Sequence, residues 1–214
     1  MNPSRGGTWA LWILLTALGY SLGLYAGFFI AHFALGRLMA ALAIGGGVGL
    51  AQRYVLQGYL EPRRSRAWSS MESVTWIYGS MAGMAVAFGV GWLLVQGTAV
   101  EEGVSGPIEV LLLAAALAVG GAATGALQAR VLGRYLLDSR RWIAAAAAGW
   151  AGSALGLGLM PALSERMYDV FAILLAPAAA GSVLGIITGY ALVRLPRRAA
   201  PLAPSLAPRS DRSA

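Results

Sequence analysis

Apolar residues come in long runs along this chain, separated by short polar stretches that hold nearly all the charge. A helix needs roughly 20 apolar residues to cross a bilayer core about 30 Å thick. Six runs meet that length: 9–30, 35–56, 71–95, 107–132, 142–160 and 169–195. The first is far longer than the apolar region of a cleaved signal peptide, usually about 7–15 residues, and only Arg5 precedes it. Local signals support the boundaries. Ser69 with Glu72 reads as a capping box that starts the third helix. Pro107 suits the first turn of the fourth, where its missing N–H costs nothing. Asp169 can cap the sixth, and Pro177 inside it predicts a kink, with a broken helix at a binding site as the other reading.

A second regularity lies inside the runs. GGGVGLAQRYVL (45–56), GGAATGALQARVL (120–132) and GSVLGIITGYAL (181–192) align on their glycines. The aligned positions are Gly45–Gly49–Gln52–Leu56, Gly121–Gly125–Gln128–Leu132 and Gly181–Gly185–Thr188–Leu192. Residues i, i+4, i+7 and i+11 share one helix face, so each copy forms a stripe of two glycines, a polar residue and a leucine. Lipid gives helices no hydrophobic reason to associate, and glycines let backbones approach closely instead. The odd-numbered runs carry ladders of their own: Gly19–Gly23–Gly27, Gly79–Gly83–Ala87–Gly91 and Ala148–Gly152–Gly156. The predicted fold is all-α: a polytopic membrane protein of six transmembrane helices, built as three tandem parallel helical-hairpin repeats at about 9–56, 71–132 and 142–195. Residues 1–8 form a short cytoplasmic N-terminus, 9–195 the transmembrane domain, and the proline-rich stretch 196–214 a disordered cytoplasmic tail.

Composition strengthens the bilayer reading. The chain is 58% hydrophobic and 12% charged, against about 25% charged in soluble domains. The net charge of +7 comes from sixteen basic residues, all arginine. With six crossings, every arginine except Arg37 and Arg166 falls on the side of the two termini, which predicts that both are cytoplasmic, in a bacterial inner membrane. Trp9, Trp68, Trp76 and Trp142 lie near the ends of runs on that side and read as interfacial indoles. No basic helix face interleaved with aromatics is present, so nucleic acid is not an expected partner. Membrane lipids are, and so are other integral-membrane subunits.

Candidate chemistry is sparse. Cysteine is absent, which removes disulfides and thiolate ligands. H-E-x-x-H, G-x-S-x-G and glycine-rich nucleotide loops are also missing. The single histidine, His32, reads as an interfacial side chain rather than a haem or proton site, and Arg37 nearby can meet a lipid phosphate. The nine acidic residues fall at run ends or between runs, which disfavours ion-coupled transport. No cofactor, metal or catalytic residue is expected. Gln52, Gln128 and Thr188 have two readings: interhelical hydrogen bonding, or a polar cluster around a pseudo-threefold axis that lines a small site.

The G-x-x-x-G-x-x-Q segments with their arginine-bearing loops and tryptophan, together with the closing GSVLGIITGYALVRL, resemble a set of uncharacterised bacterial integral-membrane proteins over about residues 40–198. Those proteins often have an aromatic directly after the glutamine, where this chain has Arg53 and Ala129. The resemblance implies a polytopic membrane protein and supplies no substrate. The expected function is a non-enzymatic scaffold or accessory subunit acting through helix packing. The alternative is a facilitative small-solute transporter or substrate-binding transport subunit, with Tyr20, Ser21, Thr124 and Ser153 lining a pore.

Overall fold

The computed structural model describes residues 5–30, 35–60, 70–98, 107–158 and 169–196. Six helices make up nearly all of this: α1 (Arg5–Ile30), α2 (Gly36–Leu60), α3 (Ser70–Thr98), α4 (Pro107–Leu132), α5 (Arg141–Gly158) and α6 (Asp169–Arg194). Helix is what a lipid solvent demands, because it satisfies every backbone N–H and C=O within the segment. Pro107 opens α4, and Pro177 lies inside α6, which continues past it.

Length and composition allow α1, α2, α3, α4 and α6 to cross a membrane. The shorter α5 is alanine-rich, starts at an arginine and is described only as far as Gly158. Around the bundle, large apolar side chains point outward, including Leu14, Leu22, Leu50, Leu111, Leu155 and Ile186. A soluble monomer rarely exposes a continuous apolar surface of this kind, whereas a multi-pass membrane protein requires one.

The helices form a closed ring in chain order. Each packs against the helices before and after it, and α6 closes the circle against α1. Two layers of buried side chains fill the interior. One gathers Trp12, Leu56, Trp76, Leu132, Trp142 and Leu192, and the other Tyr20, Val48, Met84, Trp150 and Leu184. The first layer lies at the end of the ring where α1 begins and α6 ends, called here the tryptophan end.

Glu72 sits in the first turn of α3, and its carboxylate reaches the neighbouring helix. It accepts hydrogen bonds from Arg134 Nη1 (3.1 Å) and Tyr135 Oη (2.7 Å) beyond the end of α4. Ser69 lies outside the described residues, as do Trp68, His32 and the tail from 197 onward. One local expectation needs correction, that of Leu35, placed inside a run by its hydrophobicity. It stands outside α2 with φ 63°, a left-handed backbone before Gly36.

Candidate functional site: a tryptophan core at three glycine seams

The six aligned glycines of the even-numbered helices each meet a neighbouring backbone, mostly with side-chain atoms beside it. A Cβ at Gly49 would lie 3.0 Å from Ile77 Cα, one at Gly125 2.8 Å from Ile143 Cα, and one at Gly185 2.8 Å from Ile13 Cα. One turn away, Gly45 faces Met81 Cα at 2.8 Å, Gly121 faces Ala147 Cα at 3.0 Å and Gly181 faces Ala17 Cα at 2.7 Å. The same close approach therefore recurs at α2–α3, α4–α5 and α6–α1. Any side chain at these positions would force the backbones apart.

The odd-numbered ladders serve the other seams. Gly19, Gly23 and Gly27 lie against Gly47, Ile44 and Ala40 of α2. Gly83 meets Gly120 and Thr124 of α4, and Gly156 meets Ala180 of α6. Gly79 and Gly152 touch side chains only, Leu127 foremost in the first case and Val183 with Ile187 in the second.

Close approach of the backbones sets the polar residues. Gln52, Gln128 and Thr188 are all buried. Gln128 bridges two helices: its Oε1 accepts from Trp142 Nε1 on α5 (2.8 Å), and its Nε2 donates to Ser80 Oγ on α3 (3.0 Å). Thr188 Oγ1 accepts from Trp12 Nε1 on α1 (3.0 Å) and donates to Leu184 O (2.7 Å). Gln52 occupies the matching place on α2, beside the helix that carries Trp76. Gln128 thus ties α4 to both of its neighbours, and Thr188 ties α6 to α1.

The tryptophans are the part that run-end position misplaces. Trp76 and Trp142 face the inside of the ring and not its outer surface, and they are joined by Trp12, which no motif singles out; all three are at most 1% exposed. Trp142 packs edge-on against Trp12, with centroids 5.9 Å apart and planes at 85°, and against Trp76 at 5.8 Å and 46°. Three helices whose backbones do not touch among the described residues are joined at the centre by their indoles. A signal exists in the spacing. Trp12, Trp76 and Trp142 are each followed by isoleucine and, seven residues on, by Gly19, Gly83 and Gly149. That offset puts the indole on the same face as a packing glycine.

One layer further in, Tyr20 and Trp150 pack at 6.0 Å, with Met84 beside them in the core. Of the residues expected to line a pore, Tyr20, Thr124 and Ser153 are buried in packed side chains, and Ser21 is half-buried. Ser153 Oγ donates to Trp150 O (2.6 Å). The hydroxyls of Thr16 and Thr124 are buried without a hydrogen-bond partner among the described residues. The interior is a packed core with a few buried hydroxyls.

Electrostatics concentrate at the tryptophan end. The Glu72 side chain is 8% exposed and sits one helical turn from Trp76. It is a buried charge that the positions of the acids along the chain do not suggest. The carboxylate is stabilised by the charge-assisted bond from Arg134 and by the phenol of Tyr135. Outside the ring, an apolar groove of about 670 Å³ runs between α1 and α2, walled by Leu18, Leu22, Met39 and Leu50 and floored by Gly46 and Gly47.

Comparison of the chain with protein-family models, with curated proteins and with solved structures finds no match.

Proposed function

We propose that this chain is a non-enzymatic scaffold or accessory subunit of a bacterial cytoplasmic membrane, working through its outer helix surfaces. The observation that carries the reading is the filled centre: Trp12, Trp76 and Trp142 close the ring where a permeation path would have to pass. A transporter would need a polar cavity reachable from water. Here, among the described residues, the buried polar side chains are bonded at seams or enclosed by apolar neighbours.

The finer architecture belongs to the same proposal. All six helices cross, as three tandem hairpins with both termini in the cytoplasm. Support for the sixth crossing comes from the neighbours of α5. It packs against α4 through Gly121 and Gly125 and against α6 through Gly149 and Gly156, at the depth of two helices that are long enough to span. Support for triplication comes from the equivalent glycines that meet a neighbouring backbone at three seams. The membership suggested by the G-x-x-x-G-x-x-Q resemblance fits this arrangement.

Purification of the full chain in a mild detergent from its native membrane tests the function. The reading expects another integral-membrane protein to copurify stoichiometrically. Recovery of the chain alone and monomeric, with saturable binding of a small solute, overturns it.

A further inference from the structure

Among the described residues, the exposed arginines of the tryptophan end gather on α4, the α4–α5 turn and α6. On α4, Arg130 and the Arg134 that follows its end are exposed, one turn apart. At the matching positions of α6 stand Tyr190 and Arg194, with the guanidinium 5.1 Å from the ring centroid. Between these helices, Arg140 and Arg141 lead into α5, both exposed. The corresponding positions on α2 are Tyr54 and Gly58, without charge.

Two of these arginines already have carboxylates: Arg134 pairs with Glu72 at 3.1 Å and Arg141 with Asp138 at 3.6 Å. Arg130, Arg140 and Arg194 have none within ion-pairing distance among the described residues. Their mounting is fixed. The turn between α4 and α5 is held by hydrogen bonds from Gly133, Tyr135 and Leu136 back to the end of α4, and Tyr135 and Leu136 are buried. Leu137 N–H donates to Pro196 O (2.7 Å), tying this turn to the end of α6. Leu137 itself is exposed, an apolar tip set among basic side chains.

An apolar tip flanked by guanidiniums, with an interfacial tyrosine alongside, matches the boundary between acyl chains and phosphates in an anionic leaflet. Guanidinium is also the group best suited to two-point contact with phosphate oxygens. We propose that the α4–α5 turn and the end of α6 bind an anionic phospholipid, with Arg130, Arg140 and Arg194 as phosphate donors. The proposal depends on the helices lying in a bilayer and not on the scaffold reading.

Native mass spectrometry of the full-length protein in mild detergent can test it, with phosphatidylglycerol and phosphatidylcholine of identical chains offered separately. Phosphatidylglycerol is expected to be retained preferentially, and its retention should fall as salt rises. The combined R130Q, R140Q and R194Q variant should lose about 100-fold in phosphatidylglycerol affinity at low salt, the summed effect of three arginines at a charged surface. E109Q, in the first turn of α4 at the opposite end of the ring, should leave affinity unchanged. If the triple variant fails to fold, the salt dependence of the wild-type protein and the corresponding triple lysine variant decide. Equal retention of the two lipids, indifference to salt, or an E109Q loss equal to that of the triple variant overturns the proposal. So does displacement of the lipid by millimolar inorganic phosphate, which would mark a site for the free anion.

Discussion

At the scale of single residues, Trp142 separates the contribution of a hydrogen bond from that of packing. Its N–H reaches Gln128 while its ring supports two other indoles. Hydrogen bonds between membrane helices average about 0.6 kcal/mol in double-mutant cycles, whereas removing a buried aromatic costs about 3–5 kcal/mol. Trp142→Phe is therefore expected to destabilise modestly and Trp142→Ala severely, as read from unfolding in mixed detergent micelles. Equal losses would mean that the polar bridge, not the ring, holds the centre. Leu35 makes a prediction of the opposite sign. It is 79% exposed and has a left-handed backbone, a conformation that disfavours an L side chain by roughly 1–2 kcal/mol. Leu35→Gly should stabilise by about 1 kcal/mol, and an unchanged unfolding midpoint would count against that strain.

Among whole helices, the contrast between two glycines of α2 and α4 tests the seams. A Cβ at Gly46 would meet only the flexible Met81 side chain, at 3.7 Å, while one at Gly125 would lie 2.8 Å from the Ile143 backbone. Gly46→Ala is expected to be neutral or to stabilise by about 0.5–1 kcal/mol through reduced chain entropy. Gly125→Val should cost about 1–3 kcal/mol or prevent assembly. The ladder glycines are legible in the sequence because close backbone approach leaves a periodic mark that no other residue can make. The indoles mislead because composition near a run end favours the interface, while the seven-residue offset from Trp76 to Gly83 points inward. Glu72 shows a different limit of the sequence: Arg134 and Tyr135 become its neighbours only once α3 and α4 pair. The helix order around the ring is equally out of reach, since a stripe of glycine specifies a neighbour's shape and not its identity.

For the molecule as a whole, six crossings require opposite exposure of the two ends of a helix pair. Cysteines introduced at Gln57 and Thr98 should react with membrane-impermeant reagents from opposite sides of the cell. Labelling of both from one side would remove at least one crossing and the common orientation of the hairpins. Because α6 docks on α1 in the same manner that α2 docks on α3 and α4 on α5, the circle has no distinguished starting point. A gene opened between α2 and α3, with residue 196 linked to residue 5, should yield a polypeptide of the same melting behaviour and the same indole fluorescence. A chain shortened to two hairpins should not, for it would leave one arc open and its tryptophans without a third companion. In this architecture the order of synthesis and the order of assembly are separable, and evolution could have moved the ends without redesigning the interior.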